Sequence, residues 1–562
     1  MERRALLAAV LSMLVLIVWQ QLFPPPPQPE VPASTSAPAS SPAVVGAQPA
    51  PSASPVTSAA SDVPGAVPSP DVDLPSVQKT LETSLYKVVL TSDGGGISGF
   101  WLKDYPAYVP EHGPLTTFTS LFSGGLPPLP NDPTNLLDAP YPASTLLNLE
   151  GMLKETDRYR VVSASDKQVV FERQTGAVKV TRVYNFQPDS YEVKLEQTLQ
   201  NISGSAVTVA PVLSLYGKRL DPEKEGKSSY APHLHASYLM GGEHEIVQPS
   251  DFEEQPKKLV GSVQWAAVDD RYFLRALVAE KAEPATITLS HVAPLVMKVS
   301  LDLGAMTLQA GQSRTLKHSL FLGPKVSEQL DKAGAGLLTS LDYGILGPIS
   351  QVLLWLLKQF YAAVQSWGLA IMLLTLLVKA VLYPLFYKQI ESAQKMKEFQ
   401  PQMKALQEKH GEDKVRLNQE MMRFMQENKV NPLGGCLPLL LQMPIWFALY
   451  HVLQNAVELY RETFLYLPDL SASDPYGVSP VILGVLMFVQ QKMTPPAPGM
   501  DPMQVKILQY MPLMFAAMMF TLPSGLVVYI MVNTVLGIAQ QWYITQKLER
   551  EAAQRVQVRP RV

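Results

Sequence analysis

Residues 369–387 read LAIMLLTLLVKAVLYPLFY, and this stretch decides what kind of molecule the chain encodes. It is long and apolar enough to cross a bilayer, yet Lys379 stands midway along it with no acidic residue in the same run. A charge at that depth costs about 2.5 to 3.5 kcal/mol on insertion scales, so the rest of the protein must surround it with water or polar groups. Thr375, one helical turn earlier, is expected to face the same way. The alternative is that Lys379 snorkels to an interface and needs no such surroundings.

Four further apolar runs follow, at 433–457, 479–489, 507–522 and 525–544. Together with 5–23 near the N-terminus they predict six membrane-spanning helices, the last five forming a core over 368–545. The run 5–23 is long for a signal peptide, has no small-x-small cleavage site and is preceded by Arg3 and Arg4, so it reads as an uncleaved anchor with its basic end in the cytoplasm. From that start the basic segments 388–429, the loop with Lys492 and Lys506, and the tail 546–562 all fall inside, whereas the mostly acidic loop 458–474 falls outside. The positive-inside rule then places both termini in the cytoplasm and the large water-exposed region in the periplasm.

That region is written in a different grammar. Residues 24–78 are Pro-, Ala- and Ser-rich with hardly a charge, a composition that buries too little surface to fold and serves as a tether. Over 79–325 apolar residues alternate with polar ones at 85–91, 159–164, 168–172, 177–186 and 191–200, separated by turns such as Asp93-Gly94-Gly95-Gly96. Strands at this spacing predict a large β-sandwich. Residues 326–367 link it to the core through an amphipathic helix, 347–365, with Ile349, Val352, Leu353, Leu356 and Phe360 on one side, suited to the membrane interface or to burial under the soluble domain.

Among 562 residues Cys436 is the lone cysteine, which excludes disulfides from the soluble domain. The net charge of −3 argues against dedicated nucleic-acid binding. His233 and His235, beside His244, are read as an exposed polar loop rather than a zinc site, and no metal or small-molecule cofactor is expected.

Polar groups on other spans match Lys379: Gln442 on the second of the core spans, and Tyr529, Asn533 and Gln540 at helical spacing on the last. Such groups predict a hydrophilic groove inside the bilayer, flanked by an apolar face of Met443, Phe447, Met511, Met514 and Met518. Flexible thioethers adapt to unrelated helices, although core packing would use them equally well. With no Asp or Glu inside any span, a proton relay or ion-coupled transporter is disfavoured. A polar groove instead lowers the cost of carrying a peptide's polar flank past lipid. Between the first two core spans, 388–430 carries Met396, Phe399, Met403 and then Leu417, Met421, the pattern of a helical hairpin with a narrow apolar seam. It is either a spacer closed on itself or a surface for apolar clients.

The string Asn431-Pro432-Leu433-Gly434-Gly435-Cys436-Leu437-Pro438, followed by Gln442-Met443-Pro444-Ile445, resembles the signature of the YidC/Oxa/Alb membrane protein insertases. So do Leu382-Tyr383-Pro384-Leu385, Asp501-Pro502-Met503-Gln504 and Phe520-Thr521-Leu522-Pro523-Ser524-Gly525. Anchor, tether and large domain resemble the Gram-negative form. The resemblance implies a five-helix core with a hydrophilic groove open to lipid and cytoplasm, a functional cytoplasmic hairpin, and a periplasmic β-supersandwich akin to sugar-mutarotase folds. It further implies an inner-membrane, non-enzymatic protein that receives nascent membrane proteins from ribosomes, alone or beside SecYEG and SecDF. The chain departs from the pattern where the groove cation, usually arginine, is Lys379, and where an aromatic often following Tyr529 is Ile530.

Overall fold

In the computed structural model the described residues are 74–107, 132–137, 145–149, 152–219, 234–410, 414–428, 437–493 and 502–558. The expected anchor, nearly all of the tether, His233 and the Asn431–Cys436 part of the signature lie outside them.

Side-chain alternation builds the first half. A four-stranded antiparallel sheet holds β1 (Gln78–Glu82), β2 (Tyr86–Thr91), β3 (Gly96–Pro106) and β4 (Pro133–Asn135) in that order. A twelve-stranded sheet runs β13 (Glu243–Val247), β12 (His235–Met240), β14 (Lys257–Asp269), β15 (Phe273–Ala293), β18 (Ser313–Pro324), β9 (Glu192–Asn201), β8 (Val178–Phe186), β7 (Gln168–Thr175), β6 (Arg160–Ala164). Off that path in the same sheet β11 (Pro211–Lys218) pairs with β16 (Val296–Asp302) and β5 (Thr145–Leu149); β10 (Val207–Val209) and β17 (Met306–Leu308) form a separate two-stranded sheet. In β8 every second residue is fully buried, which is what a strand with one face on a core requires. Tyr86 stacks on Phe100 with ring centroids 4.4 Å apart and Phe171 meets Tyr184 edge-on, so both sheets feed one apolar core. The core continues past residue 325: Leu330 of α1 (Ser327–Ala333) and Leu337 belong to it.

Several charged side chains are sealed in this half, Asp269 among them. Asp269 is fully buried, with Lys325 Nζ 2.5 Å from one carboxylate oxygen, and the Ser237 hydroxyl and His235 Nε2 at 3.0 and 3.5 Å from the other. The expectation of an exposed histidine loop is therefore corrected. His235 lies in β12 against Asp269, and His244 lies in β13 beside the Trp265 ring, because strand pairing turns them toward the sheet.

The second half is helical. After α2 (Gly347–Val364) come α3 (Trp367–Glu398), α4 (Gln400–His410), α5 (Lys414–Glu427), α6 (Leu437–Asn455), α7 (Val478–Met493), α8 (Pro502–Met518) and α9 (Ser524–Val558). Among the described residues, the stretches Trp367–Met403 and Ser524–Glu551 are long and apolar enough to cross a membrane, and Val478–Met493 is a shorter apolar helix. The last helix continues through most of the expected tail, as far as Val558. On α2 the apolar side read from the sequence is shared between the protein's interior and its surface. Ser350, Leu353, Leu354 and Leu357 face inward, while Ile349, Val352 and Trp355 are exposed. The small Ser350 lets α2 approach α6 closely, its hydroxyl bonding the Ala448 carbonyl, and the outward face is apolar too, so hydrophobic periodicity does not separate the sides. In the hairpin, Met403 and Met421 are buried and Phe399 meets Phe424 edge-on, closing the seam on itself.

Residues 456–477 tie the halves together. Val457 and Tyr460 enter the β core, where the Tyr460 ring lies 5.0 Å from Tyr272 and 5.4 Å from Phe273. Lys358 of α2 reaches Glu328 of α1 and Glu458 of this connector at 2.9 and 2.8 Å. At its other end the connector accepts hydrogen bonds from the start of α9: Ser524 N–H to Ala472 O, Ser524 hydroxyl to Asp469 O, and Gly525 N–H to Leu470 O. The Phe464 ring lies so close to Gly368 of α3 that a Cβ there would sit 2.1 Å from it, so only glycine fits.

Tyr460→Ala should cost about 3 kcal/mol as an aromatic truncation in a core. Hydrogen exchange should then quicken in both β15 and the end of α6, whereas loss confined to one half would refute the tie. Burial alone would raise the Asp269 carboxyl, but Lys325 and His235 outweigh it and hold the group below its ordinary 3.8. A depressed carboxyl contributes stability that is full above the unfolded pKa and is lost as pH falls through the lower folded value. Lys325→Met leaves the buried carboxylate with only the Ser237 hydroxyl and His235 beside it, an expected loss of about 3 kcal/mol at neutral pH. That deficit should shrink on acidification toward pH 4, read by denaturant titration of the full chain in detergent.

Candidate functional site

Near the connector α3 and α9 pack tightly. Ile371, Leu374, Val527, Val528 and Tyr529 are buried together there. Farther along, the helices part around a recess of about 470 Å³ bounded by α3, α7, α8 and α9. Lys379 lies at its inner end, and Phe386, Gln394 and Lys397 follow on the same side of α3. These sit 7, 15 and 18 residues beyond Lys379, so a helix of 3.6 residues per turn returns all of them to one face. Met487 and Gln490 come from α7, Met511 and Phe515 from α8, and Gly537 and Gln540 from α9.

The electrostatics of the recess are lopsided. Its lining includes Lys379 and Lys397, several glutamines and, among the described residues, no carboxylate. Lys379 Nζ instead sits over the Phe386 ring, 4.6 Å from its centroid. The Gln540 side-chain nitrogen is buried with no hydrogen-bond partner among the described residues. Gln541, next along α9, donates to the Met493 carbonyl and closes the end of α7. Lys547 of α9 lies 5.5 Å from the Tyr387 ring centroid of α3, a second cation–aromatic contact between chain segments bounding this region.

Of the residues expected to form a groove, the recess brings together Lys379 and Gln540, with Met511 from the expected apolar face. Thr375 is not among them: it is buried and its hydroxyl donates to the Ile371 carbonyl one turn back. It shares the face of Lys379 but stands one turn nearer the packed end, where α3 and α9 leave no gap. Gln442 and Tyr529 form a separate polar contact, the amide nitrogen donating to the phenol oxygen at 3.5 Å, and the Gln442 amide oxygen is buried without a partner among the described residues. Asn533 is half-buried and outside the recess lining. Met514 and Met518 are exposed on the outer side of α8, and Met443 and Phe447 are half-buried on α6. In the hairpin, Met396 and Leu417 are half-buried beside the closed seam. Sequence reasoning missed Phe386, Gln490, Gly537 and Lys397. The recurrence of Lys379, Phe386, Ile390 and Lys397 on one helical face was the available signal.

Residues 78–356 match the family described as YidC periplasmic domain, and residues 359–551 the family described as 60Kd inner membrane protein. A relative from Geotalea daltonii named Membrane protein insertase YidC is 33% identical, covering 98% of this chain and 100% of its own length. The chain belongs to the YidC membrane protein insertase family. A YidC relative of the same name from Geobacter sulfurreducens is 36% identical, over 98% of this chain and 100% of its own. Among solved structures, one described as an active YidC insertase with the first transmembrane domain resolved is similar at 18% identity, covering 83% of this chain and 92% of its own with a TM-score of 0.36. The region matching the YidC periplasmic domain ends inside α2, in keeping with a β half that extends past residue 325.

Because its hydroxyl is spent within its own helix, Thr375→Val should leave client insertion within about twofold of wild type, at a stability cost of about 1 kcal/mol. A tenfold loss in a reconstituted insertion assay would return Thr375 to the groove.

Proposed function

We propose that this protein moves hydrophobic segments of newly made proteins sideways into the bacterial inner membrane, using the recess around Lys379 to carry their polar flanks. One observation carries the reading: a half-buried lysine in a cleft lined by amides and thioethers, with no carboxylate among the described lining residues to neutralise its ammonium. A recess of this size and polarity holds water, so the flank of a passing segment keeps partners for groups that bare lipid would strip. Exposed Met514 and Met518 give the apolar part of the client an adaptable surface at the helix edge. The relatives' shared name, Membrane protein insertase YidC, supports the same reading.

In this proposal the chain spans the membrane six times, with both termini in the cytoplasm and the β half in the periplasm of a Gram-negative cell. The hairpin of α4 and α5 extends toward the ribosome, and SecYEG and SecDF are partners for clients too large to insert unaided. Insertion needs no bond making, so no catalytic residue or cofactor is assigned.

The test is insertion of a short single-span client into liposomes holding only the purified full chain, scored by protease protection. Wild type and Lys379→Arg should protect the client, and Lys379→Glu should reduce protection about tenfold, the equivalent of roughly 1.4 kcal/mol. No protection by wild type would overturn autonomous insertion and leave an accessory chaperone of the translocon.

A further inference from the structure

The recess presents a problem that its amides do not solve. Lysine is a point charge on a flexible stem, and an ammonium free to wander would present no fixed site to a client. A carboxylate would fix it but would also cancel its charge. The structure holds Lys379 another way. Its Nζ lies 4.6 Å from the centroid of the Phe386 ring, two turns along the same face of α3. Across the recess is Gly537 of α9, where an added Cβ would come within 3.6 Å of Lys379 Nζ and 2.9 Å of the Gln490 side-chain nitrogen. One turn farther along α9, Gln540 lines the same recess, its amide nitrogen buried and without a hydrogen-bond partner among the described residues.

We propose that Phe386 and Gly537 are the positioning residues for the Lys379 ammonium, and that together they set the selectivity of insertion for clients with acidic flanks. The proposal deepens the insertase reading above and rests on it. The ring attracts the cation through its quadrupole, a contact that strengthens when water is excluded, yet it carries no formal charge. The cation is thereby localised without being neutralised. Gly537 supplies the clearance, since any side chain there displaces the Gln490 amide first and narrows the space for the ammonium next. The ring comes from α3, the bare backbone from α9 and the amide that a side chain at Gly537 would meet from α7, so three helices bound the space that the charge occupies.

The experiment uses the full chain in liposomes and two clients differing only in carrying two Asp or two Asn residues in the polar flank. Wild type should insert the Asp client preferentially. Phe386→Leu should lower the Asp-to-Asn ratio about tenfold, and Phe386→Trp should restore it, because indole is the strongest cation-binding ring. Gly537→Leu should lower the ratio likewise. In a Lys379→Gln background, Phe386→Leu should change nothing further, which a merely structural role for the ring would not reproduce. Equal slowing of both clients by Phe386→Leu, an undiminished effect in the Lys379→Gln background, or no Asp preference in wild type would overturn the proposal while leaving an insertase. Failure of wild type to insert either client would remove the insertase reading, and this one with it.

Discussion

Three backbone carbonyls, those of Asp469, Leu470 and Ala472, determine where α9 begins, because each accepts a hydrogen bond from Ser524 or Gly525. Much of the helical half follows from that attachment. With the first turn of α9 fixed, Gly537 stands roughly 20 Å along the axis, at the depth where Lys379 needs clearance. The same connector sends Val457 and Tyr460 into the β core, so the position of the recess is referred to the larger and more extensively packed half of the protein. A loop with this much hydrogen bonding behaves as a structural element and not as a tether.

Two lysines, Lys325 buried and Lys379 half-buried, show how the protein treats charge differently in its two halves. Lys325 meets Asp269 inside the β sheet, where each ion would be costly alone and the pair is tolerable because both are satisfied. Lys379 has an aromatic face in place of a carboxylate. The first arrangement spends the charge on holding strands together. The second leaves it unspent, at an energetic cost that a packed protein accepts where the charge has work to do.

The strands were legible because burial on one face imposes a period of two, and β8 follows it residue by residue. The apolar helices were legible because lipid imposes length. Their inward faces were less so: the side of α2 packed on the protein centres on Ser350, Leu353 and Leu357 and leaves Ile349 and Val352 exposed, a division that hydrophobic periodicity does not make. Lys379 stood out as a charge where none is expected, but Phe386 is one aromatic among many apolar residues, and Gly537 has no side chain to notice. Thr375 misled for a geometric reason. Helical spacing gives the face of a residue and not the depth at which neighbouring helices part. The connector's contacts with Ser524 and Gly525 have no periodic signature at all, since they join segments far apart in the chain.

The final helix, Ser524–Val558, runs unbroken past the recess. As a rod of roughly 50 Å hydrogen-bonded to the connector at its first turn, it would act as a lever about that point. A change of about 5° in its angle at the Ser524 attachment would carry the far end through some 4 to 5 Å while hardly disturbing the residues beside the connector. Between those extremes, Gly537 and Gln540 would move by one or two ångströms, enough to widen or pinch the cleft against α3. Small adjustments where the connector grips the helix would thus be magnified along it, and strain arriving from the β half would be geared into displacement at the helix's far end.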